Sequence, residues 1–215
     1  MKIIYEDFNE HIESTFWQIL ANILAKMPLH LKYSDQSGLQ GKLIFDPVGT
    51  NQYLKTELSQ VGCLPNAPIP EEFSFLGKDV DFAQEGLLLE AQFSNYPFLL
   101  NNLLRAELFY RGHIPFDRVA CQALIIITKG YIFPASNSTL YYEQAINQLR
   151  ALSRYQLFSI PIRVIGLIAD PNSVIPSIIR TYSQARYSRQ VVQSSPQNVR
   201  VVSGKSARCF LEINP

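Results

Sequence analysis

A chain of 215 residues with 47% apolar and 17% charged residues can bury a sizeable core and is too apolar to be intrinsically disordered. Its apolar runs are only a few residues long, as at Ala123-Leu124-Ile125-Ile126-Ile127, which excludes a membrane-spanning helix. The formal charge of +1 conceals a polarity: residues 1–149 carry 10 Lys/Arg against 16 Asp/Glu, net −6, and residues 150–215 carry 9 against 2, net +7, so the last third is the candidate surface for nucleic acid.

The chain opens with Phe8, Ile12, Phe16, Ile19, Leu20, Ile23, Leu24 and Met27 at three- and four-residue steps, which predicts an amphipathic helix stopped by Pro28. Glu6, Asp7, Glu10 and Glu13 stand where a signal peptide needs apolar residues, and a cytoplasmic chain is expected. Residues 42–46 read as a strand, Pro47-Val48-Gly49 as a turn, and Thr50 as the cap of a helix through about Val61. The proline-rich segment from Leu64 to Pro70 is a stiff loop that delivers Asn66 close to Asp81.

A hairpin follows, with strands from Phe73 to Phe82 and from Leu87 to Phe93 about a Gln84-Glu85-Gly86 turn. Asn95 is placed as an N-cap, with Pro97 in the first turn of a helix that runs to Tyr110 and ends at Gly112. Val119 to Thr128 is a buried strand, residues 134–139 a polar loop, Leu140 to about Arg154 a helix, and Ile160 to Ile168 a further buried strand. Beyond Asp170, short strands are expected at residues 181–182, 190–193, 199–202 and 209–213. The alternation argues for an α/β fold with a central, largely buried sheet. The chain reads as a single domain, 1–215, whose residues from about 170 contribute a small basic β extension.

The hairpin carries the chemistry. Alternation puts Leu87, Leu89, Ala91 and Phe93 on one face and projects Glu90 and Gln92 together from the other, which is free for chemistry. Ordinary antiparallel pairing brings Asp81 near Glu90, so two carboxylates and an amide converge, a hard-cation site in outline. Mg²⁺ would relieve the repulsion of the paired carboxylates and serve phosphodiester hydrolysis, with Gln92 holding a water in line. The alternative is a solvated polar face on an edge strand.

Other motifs carry less. Gly204-Lys205-Ser206 lacks the first glycine and the strand-loop-helix context of a phosphate-binding loop. His11, His30 and His113 have no ligand spacing, and Cys63, Cys121 and Cys209 form neither a disulfide framework nor a zinc site. Residues 186–189, Arg-Tyr-Ser-Arg, with Arg180 and Arg200 nearby, suit phosphate and base-edge contact, or else a solvated face.

Four runs carry a resemblance: Ile44 to Tyr53, Glu90 to Asn102, Pro134 to Ser138 with Leu140 to Gln144, and Arg186 to Arg189. In order and spacing, over nearly the whole chain, they resemble the BglII family of type II restriction endonucleases, a Gln-bearing branch of the restriction-endonuclease-like superfamily. The resemblance implies a mixed sheet flanked by helices with an added β subdomain. It implies a Mg²⁺-dependent homodimer that cuts double-stranded DNA at an AGATCT-like palindrome and leaves GATC 5′ overhangs. A cognate methyltransferase is expected in the same system, though not as a bound partner.

Carried over by position, Asp81 is the metal ligand, with the Ala91 carbonyl also on the ion. Glu90 and Gln92 position waters, including the attacking one, and Asn66 joins that network. Asn95, Asn137, Ser138 and Tyr187 fall on DNA-contacting positions, and Arg189 is a phosphate or groove contact. Most related nucleases carry lysine where Gln92 stands, which leaves the general base open, the preferred answer being a water that loses its proton to solvent. Two other readings remain: a structure- or damage-specific nuclease of the same fold, and an inactive DNA-binding regulator. Asn137 and Ser138 read without the resemblance as caps of the Leu140 helix.

Overall fold

Strand-forming runs dominate this chain and fold it into two large sheets that share an apolar core, with a separate two-stranded hairpin. The computed structural model describes residues 1–184, 189–204 and 209–213. In order, the elements are β1 (Lys2–Phe8), α1 (Thr15–Lys26), β2 (Leu29–Tyr33), β3 (Leu43–Phe45), α2 (Pro47–Gln60) and β4 (Leu64–Pro68). A 3-10 helix (Glu71–Leu76) leads to β5 (Asp79–Gln84), β6 (Leu87–Ala91), α3 (Phe98–Arg111), β7 (Pro115–Phe116), β8 (Val119–Ala120), β9 (Ala123–Lys129) and α4 (Tyr142–Arg154). The chain closes with β10 (Ile162–Ile168), β11 (Val174–Tyr182), β12 (Val191–Ser203) and β13 (Cys209–Ile213).

The larger sheet has the order β1-β10-β9-β6-β5-β4, with β10, β9 and β6 mutually parallel and the outer pairs antiparallel. Side-chain alternation divides its apolar residues between two cores. Phe82, Leu87, Leu89, Ile125, Ile127 and Ile165 pack with Leu20 and Leu24 of α1 and Leu54 and Leu58 of α2. Ala83, Leu88, Leu124, Ile126 and Val164 pack with Leu99, Leu103 and Ala106 of α3 and Ala145 and Leu149 of α4. The expected α/β fold, a central mixed sheet flanked by helices, is therefore present.

The second sheet, β13-β12-β11-β2-β3, differs from the expectation. It holds β2 and β3 from the first half of the chain, and β11 and β12 are nine and thirteen residues long rather than short. The opening helix also differs. Residues 2–8 pair with β10, Asn9 takes a left-handed φ of 68°, and α1 starts only after Ser14, whose side chain accepts from the Trp17 N–H. Thr50 lies inside α2, whose cap is Asp46, with Pro47 in the first turn where its missing N–H does no harm. Leu64–Pro68 is a strand despite its prolines, because β4 is the edge of its sheet.

Candidate active site

The hairpin turn is tighter than expected. Gln84 pairs with Leu87, so Glu85 and Gly86 alone make the loop, with φ of 46° and 81°, the left-handed pair that matches strand twist. The first strand begins at Asp79, since residues 71–76 form the 3-10 helix. Phe82 pairs with Leu89, and continuing that register sets Asp81 across from Glu90, while Asp81 Oδ2 accepts from the Ala91 N–H at 2.9 Å. The charge of Asp81 acts on Glu90, as the expected convergence of the two carboxylates requires.

The polar face is not free. β6 lies between β5 and β9 in the sheet interior, which removes the edge-strand alternative, and Glu90 follows Leu88 onto the face that α3 covers. Leu99, Leu103 and Ala106 seat α3 on the sheet, and this seating aims Asn102 and Arg105 at the strand. Asn102 Nδ2 donates to Glu90 Oε2 at 3.3 Å and to Gln92 Oε1 at 3.1 Å. Arg105 donates through Nη2 to Glu90 Oε1 and through Nη1 to the Asp79 carbonyl at 3.1 Å. Glu90 and Gln92 are both buried. The Gln92 amide also donates to the Asn95 carbonyl at 3.0 Å, which leaves one N–H and one lone pair for a further partner. Sequence reasoning missed Asn102 and Arg105; their only signal was polarity at a three-residue step beside an apolar stripe.

Burial, and after it the charge of Asp81, push the Glu90 carboxyl up to about 8, with Arg105 compensating only in part. Asp81 is raised too, chiefly by burial, against the Ala91 N–H and Arg105, which lower it. Two neighbouring carboxylates that resist ionising together call for a compensating proton or cation. Among the described residues no three His, Cys, Asp or Glu converge as a cage. One exposed-side carboxylate, a second behind it and nearby main chain fit Mg²⁺, which keeps waters and takes few protein ligands.

Asp81, Ala91 and Asn66 line a cleft of about 620 Å³, whose other wall includes Gln52 and Lys55 of α2, Arg180 and Tyr182 of β11, and Arg189. Lys55, Arg180 and Arg189 thus set positive charge on the same cleft as Asp81. Tyr182 donates to Asp46 Oδ2 at 2.5 Å, tying β11 to the buried cap of α2. Gly49 makes room for Arg180, since a Cβ there would lie 2.1 Å from Arg180 Nη1. Tyr187 lies outside the described residues.

Asn95, Asn137 and Ser138 are exposed and sit on two joined loops. The Tyr96 N–H donates to the Ser138 carbonyl at 3.2 Å, and the Leu140 N–H to that of Ser94 at 2.9 Å. Asn137 and Ser138, with Tyr96 and Gln144, line a shallow cavity of about 250 Å³. None of the three is a helix cap: Pro97 precedes α3 and Tyr141 precedes α4, neither with a side-chain bond to the helix. The structure therefore groups Asn66, Asp81, Ala91 and Arg189 in the cleft, Glu90 and Gln92 behind it, and Asn95, Asn137 and Ser138 on the adjoining loops.

Residues 7–167 match the family model described as restriction endonuclease BglII/BglIII. The chain is 49% identical over 205 residues to the type II restriction enzyme BglII of Bacillus subtilis, covering 94% of this chain and 92% of that one. It is similar over 100% of both chains to the crystal structure of BglII complexed with a DNA 16-mer, at 46% identity and a TM-score of 0.97. Against free BglII, also over 100% of both chains, the identity is 44% and the TM-score 0.78, so the backbone is more similar to the DNA-bound form.

Proposed function

Because the chain belongs to the BglII/BglIII restriction endonuclease family, we propose that it is a Mg²⁺-dependent homodimer that cleaves double-stranded DNA at an AGATCT-like palindrome, leaving GATC 5′ overhangs, in the cytoplasm. The observation that carries the reading is the under-compensated pair Asp81 and Glu90, one on a cleft with three cations and the other just behind it.

In this reading Asp81 and the Ala91 carbonyl hold the ion, and Glu90 adds negative charge behind them. Mg²⁺, when bound, stabilises charge developing on the phosphate and acidifies a bound water. Asn102 donates to both Glu90 and Gln92, so the remaining N–H and lone pair of Gln92 are aimed rather than rotating freely. Gln92 orients the attacking water, Asn66 joins its network, and no side chain need act as base, the proton passing to solvent. Arg189 meets backbone phosphate, and Asn95, Asn137, Ser138 and Tyr187 contact the DNA.

Digestion of plasmid DNA with Mg²⁺, followed by sequencing of the ends, tests this directly. Discrete fragments with GATC overhangs are expected. A smear would point to a nuclease without sequence choice, and binding without cutting to an inactive regulator.

A further inference from the structure

β9 ends in Lys129, a lysine with no solvent exposure. Its Nζ donates to the Phe93 carbonyl at 3.1 Å, to Thr139 Oγ1 at 2.6 Å and to the Leu140 carbonyl at 3.0 Å, which uses all three ammonium protons. The rings of Phe45 and Tyr141 lie 5.3 and 4.9 Å away, so the cation also faces two π surfaces. Among the described residues no carboxylate pairs with it. A buried cation without a counter-ion costs several kcal/mol unless hydrogen bonds compensate.

Its partners are arranged in a telling way. Phe93 is the residue after Gln92 and two before Asn95; Thr139 and Leu140 follow Asn137 and Ser138 directly. Thr139 Oγ1 also donates to the Phe93 carbonyl, at 2.6 Å, so one ammonium and one hydroxyl lock the two loops to each other. Two main-chain hydrogen bonds also join these loops, and an apolar side chain could fill the space but would remove the side-chain tie that Lys129 adds between them.

Building on the proposed nuclease reading, we propose that Lys129 is a positioning residue that couples the base-contacting loop at Asn137 and Ser138 to the strand end carrying Gln92. Contacts to the bases then set the rate of cutting as well as the affinity. Lys129 itself touches no DNA, so its loss should act on kcat and on discrimination and spare KM.

The test compares the full-length wild type with Lys129→Met, Lys129→Arg and Thr139→Val, on a cognate duplex and on one altered at a single symmetric position. A wild type that cuts neither duplex would overturn the nuclease reading itself. With an active wild type, Lys129→Met is expected to lose about 10- to 100-fold in kcat, the size of effect that misplacement by about an ångström produces. Its KM should stay within about threefold and its preference for the cognate duplex should fall about tenfold, with partial recovery in Lys129→Arg. If Lys129→Met does not fold, Thr139→Val, which deletes one acceptor and one donor of this network and keeps the volume, should show a smaller loss of the same preference. Unchanged preference in a folded variant, or a rate loss that only follows the melted fraction, would overturn the proposal.

Discussion

Two buried arginine–carboxylate pairs sit on the larger sheet, and their surroundings give them opposite characters. Arg163 on β10 is fully buried, donates through Nε and Nη2 to the two oxygens of Asp7 at 2.6 Å each, and lies 4.5 and 4.2 Å from the rings of Tyr5 and Trp17. Burial raises the Asp7 carboxyl, but Arg163, helped by the Ile12 N–H and His11, holds it below its ordinary value. Arg105 meets Glu90 in a similarly dry place, yet Asp81 and Asp79 also bear on Glu90, and its carboxyl is pushed up to about 8. A pair whose charges balance stiffens the sheet; a pair left with surplus negative charge is a place for a cation.

The comparison predicts separable losses. The largest is in Glu90→Gln, where cleavage should fall on the order of 10³-fold, equivalent to about 4 kcal/mol of transition-state stabilisation. The amide keeps the volume and its one oxygen can still accept from Arg105, while its NH2 replaces the oxygen that accepts from Asn102, so single-turnover rates should collapse in a protein that melts within a few degrees of wild type. Cleavage at the wild-type rate would make Glu90 a packing residue.

Next in size is Arg163→Met, which leaves Asp7 with His11 and the Ile12 N–H in place of its guanidinium and should cost about 3 kcal/mol in urea unfolding, with cleavage per folded molecule unchanged. Arg105→Met should cost less, about 1–2 kcal/mol, because Glu90 is already inclined to take up a proton and so escape as a neutral acid. Equal costs at the two sites would break the distinction between them.

The smallest effect is one of pH. The folded value of Asp7 is depressed, so its stabilisation is full above the unfolded value of 3.8 and is lost as pH falls through the lower folded value. The stability advantage of wild type over Asp7→Asn should therefore be present at neutral pH and shrink on acidification below 3.8. An advantage that grows in acid would contradict the assignment.

How much of this was legible in the sequence follows from what local chemistry determines. The period of two in β6 was legible, but the turn read as Gln84-Glu85-Gly86 was one residue too long; the two-residue Glu85-Gly86 loop fixes the observed pairing, because a hairpin's register follows from its turn. What covers Glu90 was hidden, since helix α3 could have been seated with any of its polar residues against the sheet, and only tertiary packing selects Asn102 and Arg105. The strand Lys2–Phe8 was hidden for the same reason: its partner is β10, some 160 residues away in sequence. Asn137 and Ser138 fit a cap as well as a loop by composition, and the helix that starts one turn later decided between them.

The metal site is tested most directly by cleavage and binding of a single cognate duplex by wild type and Asp81→Asn, each in Mg²⁺ and in EDTA. Wild type should cut only with Mg²⁺. Asp81→Asn should bind the duplex within about tenfold of wild type and cut under neither condition, because the substitution removes the charge that holds the ion and little of the surface that holds DNA. Wild-type cutting in EDTA, or cutting by Asp81→Asn at an undiminished rate, would contradict it.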